Sequence, residues 1–231
     1  PISVIWREDV LQVTEDLLAS RAQRIHERTR GYADAKAHML DAYARDFLQP
    51  IWRTFEGEAE RSFIGKLDQS EKRGQAWPAM QRLLAVAASG DIPMGIHFVV
   101  HSSGMPWFQA FVQRLARAHG TPDNLIHGFE TPELRRMILR NVTLITPICT
   151  VNNVRSILAD LWGDWSLPST AKSRPLAIYA QTAARDAGEN LCGYSGSFLE
   201  LARRCFPLDG SMPTIAKSNI IAGHSDGAHE L

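Results

Sequence analysis

Ile96-His97-Phe98-Val99-Val100-His101-Ser102-Ser103-Gly104-Met105-Pro106-Trp107-Phe108 is the stretch on which the fold turns. Residues 96–100 form a short run rich in β-branched and aromatic side chains, which predicts a strand. A polar Ser-Ser-Gly turn follows, and Pro106 then sits where proline is tolerated, in the first turn of a helix. Trp107, Phe108, Phe111, Val112 and Leu115 return at three-to-four spacing, the stripe of an amphipathic helix. Strand, turn and helix in that order predict one unit of a mostly parallel sheet covered by helices, and so an α/β fold.

The same alternation recurs downstream. Residues 142–149 read as a strand that Pro147 confines to an edge or ends early. Val154, Ile157, Leu158, Leu161 and Trp162 then form a helical stripe, with Asn152 or Asn153 as its expected cap. A helix is expected from Thr131-Pro132 through Leu139, another over residues 197–206, and further strands at 176–180 and 219–222. Upstream the pattern is helical. Val10, Leu11, Val13, Leu17, Leu18 and Ile25 share one helical spacing after a short leading strand at residues 1–6. Ala35, Met39, Leu40, Tyr43, Phe47 and Leu48 share another, which Pro50 is expected to end. A third runs from Trp77 and Pro78 to Ser89-Gly90. The expected organisation is a mainly helical region over residues 1–90 and an α/β region over 91–231, either as two parts or as one continuous domain.

Bulk properties bound the function. A chain of 231 residues with 45% hydrophobic and 22% charged residues has the profile of an ordinary folded domain, able to bury a core without staples. Lysine plus arginine equals aspartate plus glutamate at 25 each, so no net field draws it to nucleic acid or an anionic membrane. Arg114, Arg117, Arg135, Arg136 and Arg140 read as solvated outer faces of the later helices. No apolar run reaches the roughly 18 residues of a membrane span. Cys149, Cys192 and Cys205 cannot all pair and show no zinc-ligand spacing, which favours reduced thiols and a soluble, cytoplasmic protein. P-loop, G-x-G-x-x-G and HExxH patterns are all missing, and no cofactor follows from the sequence.

In α/β sheets, ligands collect beyond the carboxyl ends of the strands, and this selects the candidate residues. Ser102, Ser103 and Gly104 offer hydroxyls, backbone donors and a helix dipole for a small anion, with His101 beside them to move a proton. The bland alternative makes the same residues a turn and helix cap. Thr150, Asn152 and Asn153 either reach the same ligand or cap their helix. Cys149 is either a nucleophile or, as is more common, a buried thiol. His97 and His101 share a face if they lie on a strand, but stand roughly 13 Å apart along it, too far for one ion. No metal site is expected.

Gly223-His224-Ser225-Asp226-Gly227 follows the apolar Ile220, Ile221 and Ala222 and fits G-x-S-x-G. It resembles the nucleophile elbow of the α/β-hydrolase family, and the resemblance implies a nucleophilic Ser225 with the 101–104 turn in the place of an oxyanion loop. Only four residues follow the motif here, leaving no room for the acid and histidine that come later in that family's chain order. Pro1-Ile2-Ser3-Val4-Ile5 resembles the opening of the tautomerase family, which implies a general-base role for Pro1. Two functional classes therefore stand: an α/β enzyme or binding protein that holds a small anionic ligand around His101–Gly104, and a noncatalytic interaction domain whose N-terminal helices offer an apolar groove or homo-oligomer face.

Overall fold

The computed structural model describes residues 16–17, 19–21, 23–25, 33–63, 76–88, 94–117, 139–162, 176–180, 185, 188, 190–191, 194–195 and 201–202. After helical residues between 16 and 25, helix α1 spans Ala33–Phe63 and α2 spans Ala76–Ala88. Strand β1 (Ile96–His101), a single 3₁₀ turn (Ser102–Gly104) and α3 (Met105–Arg117) come next, then β2 (Leu139–Ile145), α4 (Val151–Trp162) and β3 (Leu176–Tyr179). Asn190–Leu191 (β4) and Tyr194–Ser195 (β5) pair as a small antiparallel ribbon that the sequence did not announce. The fold is α/β: a small parallel three-stranded sheet flanked by helices.

Pro50 does not end the first long helix, contrary to the sequence expectation. Leu40, Ala44, Leu48, Trp52, Phe55, Ala59 and Phe63 form one continuous buried stripe that runs straight past it. Pro50 itself faces solvent, so the donor it lacks and the carbonyl it displaces lie on the wet side of the helix. Its own carbonyl accepts a hydrogen bond from Thr54 Oγ1 at 2.9 Å. Burial of seven apolar side chains outweighs a local cost of about 3 kcal/mol.

The sheet order is β1-β2-β3 with both pairs parallel. Phe98, Val142 and Leu176 lie side by side across the strands, as do Val100, Leu144 and Ile178. These two rows meet Phe108, Phe111, Val154, Ile157 and Leu161 of α3 and α4 in one core cluster. Both helices thus cover the same face. Phe111, fully buried, is the hub of an aromatic group with ring centroids 5.5 Å from Phe98, 5.9 Å from Phe63 and 6.3 Å from Phe108. Trp77, Met80, Leu84 and Ala87 of α2 join this same core. A second cluster unites Ile25, the earlier part of the α1 stripe, Ile148, Leu201 and Ala202.

Two sequence expectations shift at β2. The strand begins at Leu139 rather than 142, so Leu139 and Arg140 are strand residues and Arg140 decorates no helix. Leu139 is buried against the core, and the register slips between Ile96 and His97 to accommodate it. Arg140 folds its stem over Gly95, where an added Cβ would stand 2.8 Å from Arg140 Cγ. Arg114 is likewise no purely solvated charge: it is half-buried, with its guanidinium 5.0 Å from the Trp77 ring centre, clamping α3 to α2.

Candidate functional site

Beyond their carboxyl ends, β1 and β2 turn in a similar way. Ser102, directly after β1, has φ of 49°, and Thr146, directly after β2, has φ of 41°; they are the two non-glycine residues with positive φ among those described. For side chains with a Cβ this left-handed region is sparsely populated, and such residues persist only where the surroundings hold them. The surroundings here are visible. Ile148 N donates to Ser102 O at 3.3 Å, tying the second turn to the first, and Thr146 N donates to Tyr179 O at 2.7 Å, tying it to β3. Met105 N also donates to Ser102 O, closing the 3₁₀ turn into α3.

The left-handed Ser102 opens the 3₁₀ turn, which leads directly into the start of α3. The first amides of a helix have no intrahelical acceptor, and the helix dipole adds partial positive charge there. Ser102, Ser103 and Gly104 are half-buried at this point. His101 precedes them in extended conformation and makes no side-chain cap bond to the turn. It belongs instead to the uncovered face of the sheet, in one row with Ile145 and Tyr179.

The second turn spends its polar groups on structure. Thr150, buried, accepts a hydrogen bond from Asn153 N at 3.1 Å and donates its hydroxyl to Asn153 Oδ1 at 2.8 Å. Asn153 Nδ2 then donates to Gln109 Oε1 at 3.0 Å, linking α4 to α3. The cap of α4 is therefore Thr150, not Asn152 or Asn153, and the Asn153 amide is committed to that cap and to Gln109. Asn152 lies in the first turn of the helix. The capping role expected for the Thr150–Asn153 group thus falls to Thr150, whereas Gln109 could not be found from the sequence, because a mid-helix glutamine carries no signal.

Cys149 is fully buried, and burial pushes its thiol well above the usual range, so it holds its proton and is no nucleophile. His97 and His101 do share a face, with Val99 between them, and His97 Nδ1 donates to Asn141 Oδ1 at 2.6 Å. Among the described residues no group of three His, Cys, Asp or Glu side chains comes together to hold a metal ion. No described helix is long and apolar enough to cross a membrane. Ser225 and its glycines, the strand expected at 219–222 and Pro1 lie outside the described residues.

The fold and its strand-end turns define the chain as an α/β protein with a parallel sheet and consecutive strand order. Comparison with protein-family models, with curated proteins and with solved structures yields no match.

Proposed function

We propose that this is an α/β ligand-binding protein or enzyme that holds a small anion on the backbone amides of Ser102–Gly104, at the N-terminus of α3. The observation that carries the reading is the left-handed Ser102. A non-glycine residue kept at φ of 49° costs free energy, and that cost persists where the backbone direction it creates has a use. Here that use is to offer the amides of the turn to an anion at the start of a helix of 13 residues. Ser102 and Ser103 supply hydroxyls beside them, and His101 is the imidazole nearest in sequence. Asn153 is left out of the binding set, because its amide already serves Thr150 and Gln109.

The test is a titration with inorganic phosphate followed by amide NMR. The amides of residues 102–104 are expected to shift together and saturably. Ser102→Gly, which accepts positive φ freely, keeps this response, whereas Ser102→Val, whose branched Cβ resists it, weakens it about tenfold. Unmoved amides at 102–104 would remove the reading. The competing class, a noncatalytic interaction domain, puts its apolar surface on the N-terminal helices, where Met39 and Phe47 are exposed, and it gains if phosphate leaves the amides of the Ser102–Gly104 turn unmoved.

A further inference from the structure

A cleft of about 170 Å³ lies between the helical residues 16–25 and the first half of α1, lined by Arg21, Arg24, Ile25, Met39 and Tyr43. We propose that it is a binding site for a small organic anion carrying an apolar group, such as an aromatic or branched-chain carboxylate. Arg21 and Arg24 are three residues apart and so lie on one side of their helical segment, where like charges repel. A bound anion between them removes that repulsion. No acidic side chain among the described residues lines the cleft.

The guanidinium of Arg21 rests over the Tyr43 ring, 5.1 Å from its centre. This cation–π contact holds the guanidinium at the cleft, where its N–H fork can make the two-pronged pairing with a carboxylate that arginine makes and lysine does not. The remaining wall is apolar. Ile25 is buried, Met39 stays 40% exposed, and Phe47 packs its ring at a tilt against Tyr43, centroids 4.5 Å apart, and continues the apolar strip outward at 51% exposure. The volume falls below the roughly 300 Å³ of pockets for larger ligands, and so fits one ring or branched chain with one acid group. None of these residues belongs to the strand-end turn, and this site stands or falls independently of it.

Benzoate, its neutral isostere benzamide, and inorganic phosphate are suitable probes, added to the full chain and followed by methyl NMR of Met39 and Ile25. Benzoate is expected to move both methyl signals and to bind at least about tenfold more tightly than either benzamide or phosphate. Arg24→Gln, a change at an exposed side chain, is expected to weaken benzoate several-fold, and Arg21→Gln with Arg24→Gln about tenfold or more. Equal binding of benzamide shows that the arginines do not select charge, and equal binding of phosphate shows that the apolar wall does not contribute; either overturns the proposal. So do unmoved Met39 and Ile25 signals, or a double variant that keeps its affinity with an unchanged methyl spectrum elsewhere.

Discussion

The two faces of the parallel sheet are built from alternate residues of the same strands, and the fold treats them in opposite ways. One face carries Phe98, Val100, Val142, Leu144, Leu176 and Ile178, and α3 and α4 pack on it. The other carries His97, Val99, His101, Thr143, Ile145 and Tyr179, with Val99 68% and Tyr179 61% exposed. Parallel sheets are ordinarily covered on both sides. Consecutive strand order with right-handed crossovers places both connecting helices on one side, so a sheet with this order gets its second layer only from elsewhere. Among the described residues, the buried apolar contacts of this sheet accordingly lie on one face.

The largest expected effect tests that asymmetry on neighbouring positions. Leu144→Ala, on the covered face, is expected to cost about 2 to 5 kcal/mol, because a fully packed leucine leaves a cavity. Val99→Thr, across the strand pair and on the other face, is expected to change stability by no more than about 0.5 kcal/mol. Urea unfolding of both variants checks the pair, and a large loss at Val99 would show that this face is covered in the native protein.

The strand ends sharpen the comparison at a smaller scale. Thr150→Val preserves shape and removes the hydroxyl that both accepts from and donates to Asn153, and it is expected to cost about 1 to 2 kcal/mol. The same measurement on Ser103→Ala is expected to show less than about 0.5 kcal/mol, since the first turn holds its shape through the Ser102 carbonyl. Equal losses would mean that both turns are structural caps.

The smallest effect concerns α1, where Glu56 flanks the buried stripe. Burial raises its carboxyl pKa above the ordinary value; the hydrogen bond from Trp52 Nε1, 2.9 Å long, and nearby Arg53 oppose the rise, and Glu60 adds to it. The folded state thus binds this proton more readily than the unfolded state. Its contribution is favourable in acid and is lost as pH rises through the raised folded pKa. Glu56→Gln, which still accepts from Trp52, is expected to stabilise the protein by a few tenths of a kcal/mol at neutral pH. The gain should fade as pH falls through the carboxylate range; a gain independent of pH would assign it to packing instead.

Much of the fold is readable from local pattern. The strand at 96 and the helices beginning at Ala76 and Met105 follow from apolar spacing with proline and glycine punctuation, because those signals act within a turn or two of chain. Pro50 misleads, since its local penalty is set against a buried stripe that only long-range packing reveals. The start of β2 at Leu139 misleads for a related reason: Leu139 fits a helical stripe equally well, and the neighbouring strand β1 decides the matter. At the candidate site, the Ser102–Gly104 turn is legible as a polar break between strand and helix. The left-handed backbone at Ser102, imposed by Ile148 across the turn, is not.

By itself the sequence determined that the chain folds as an α/β protein and that its polar residues gather where strands hand over to helices, since periodicity and turn chemistry are local properties. Tertiary structure decided which of those residues remain available. Thr150 and Asn153 are consumed by their cap and by Gln109, Cys149 keeps its proton in the core, and Arg21 and Arg24 meet Tyr43 at a cleft that no local pattern announces. Hydrogen-bond partners, burial and charge neighbours come from segments far apart in the chain, and only packing brings them together.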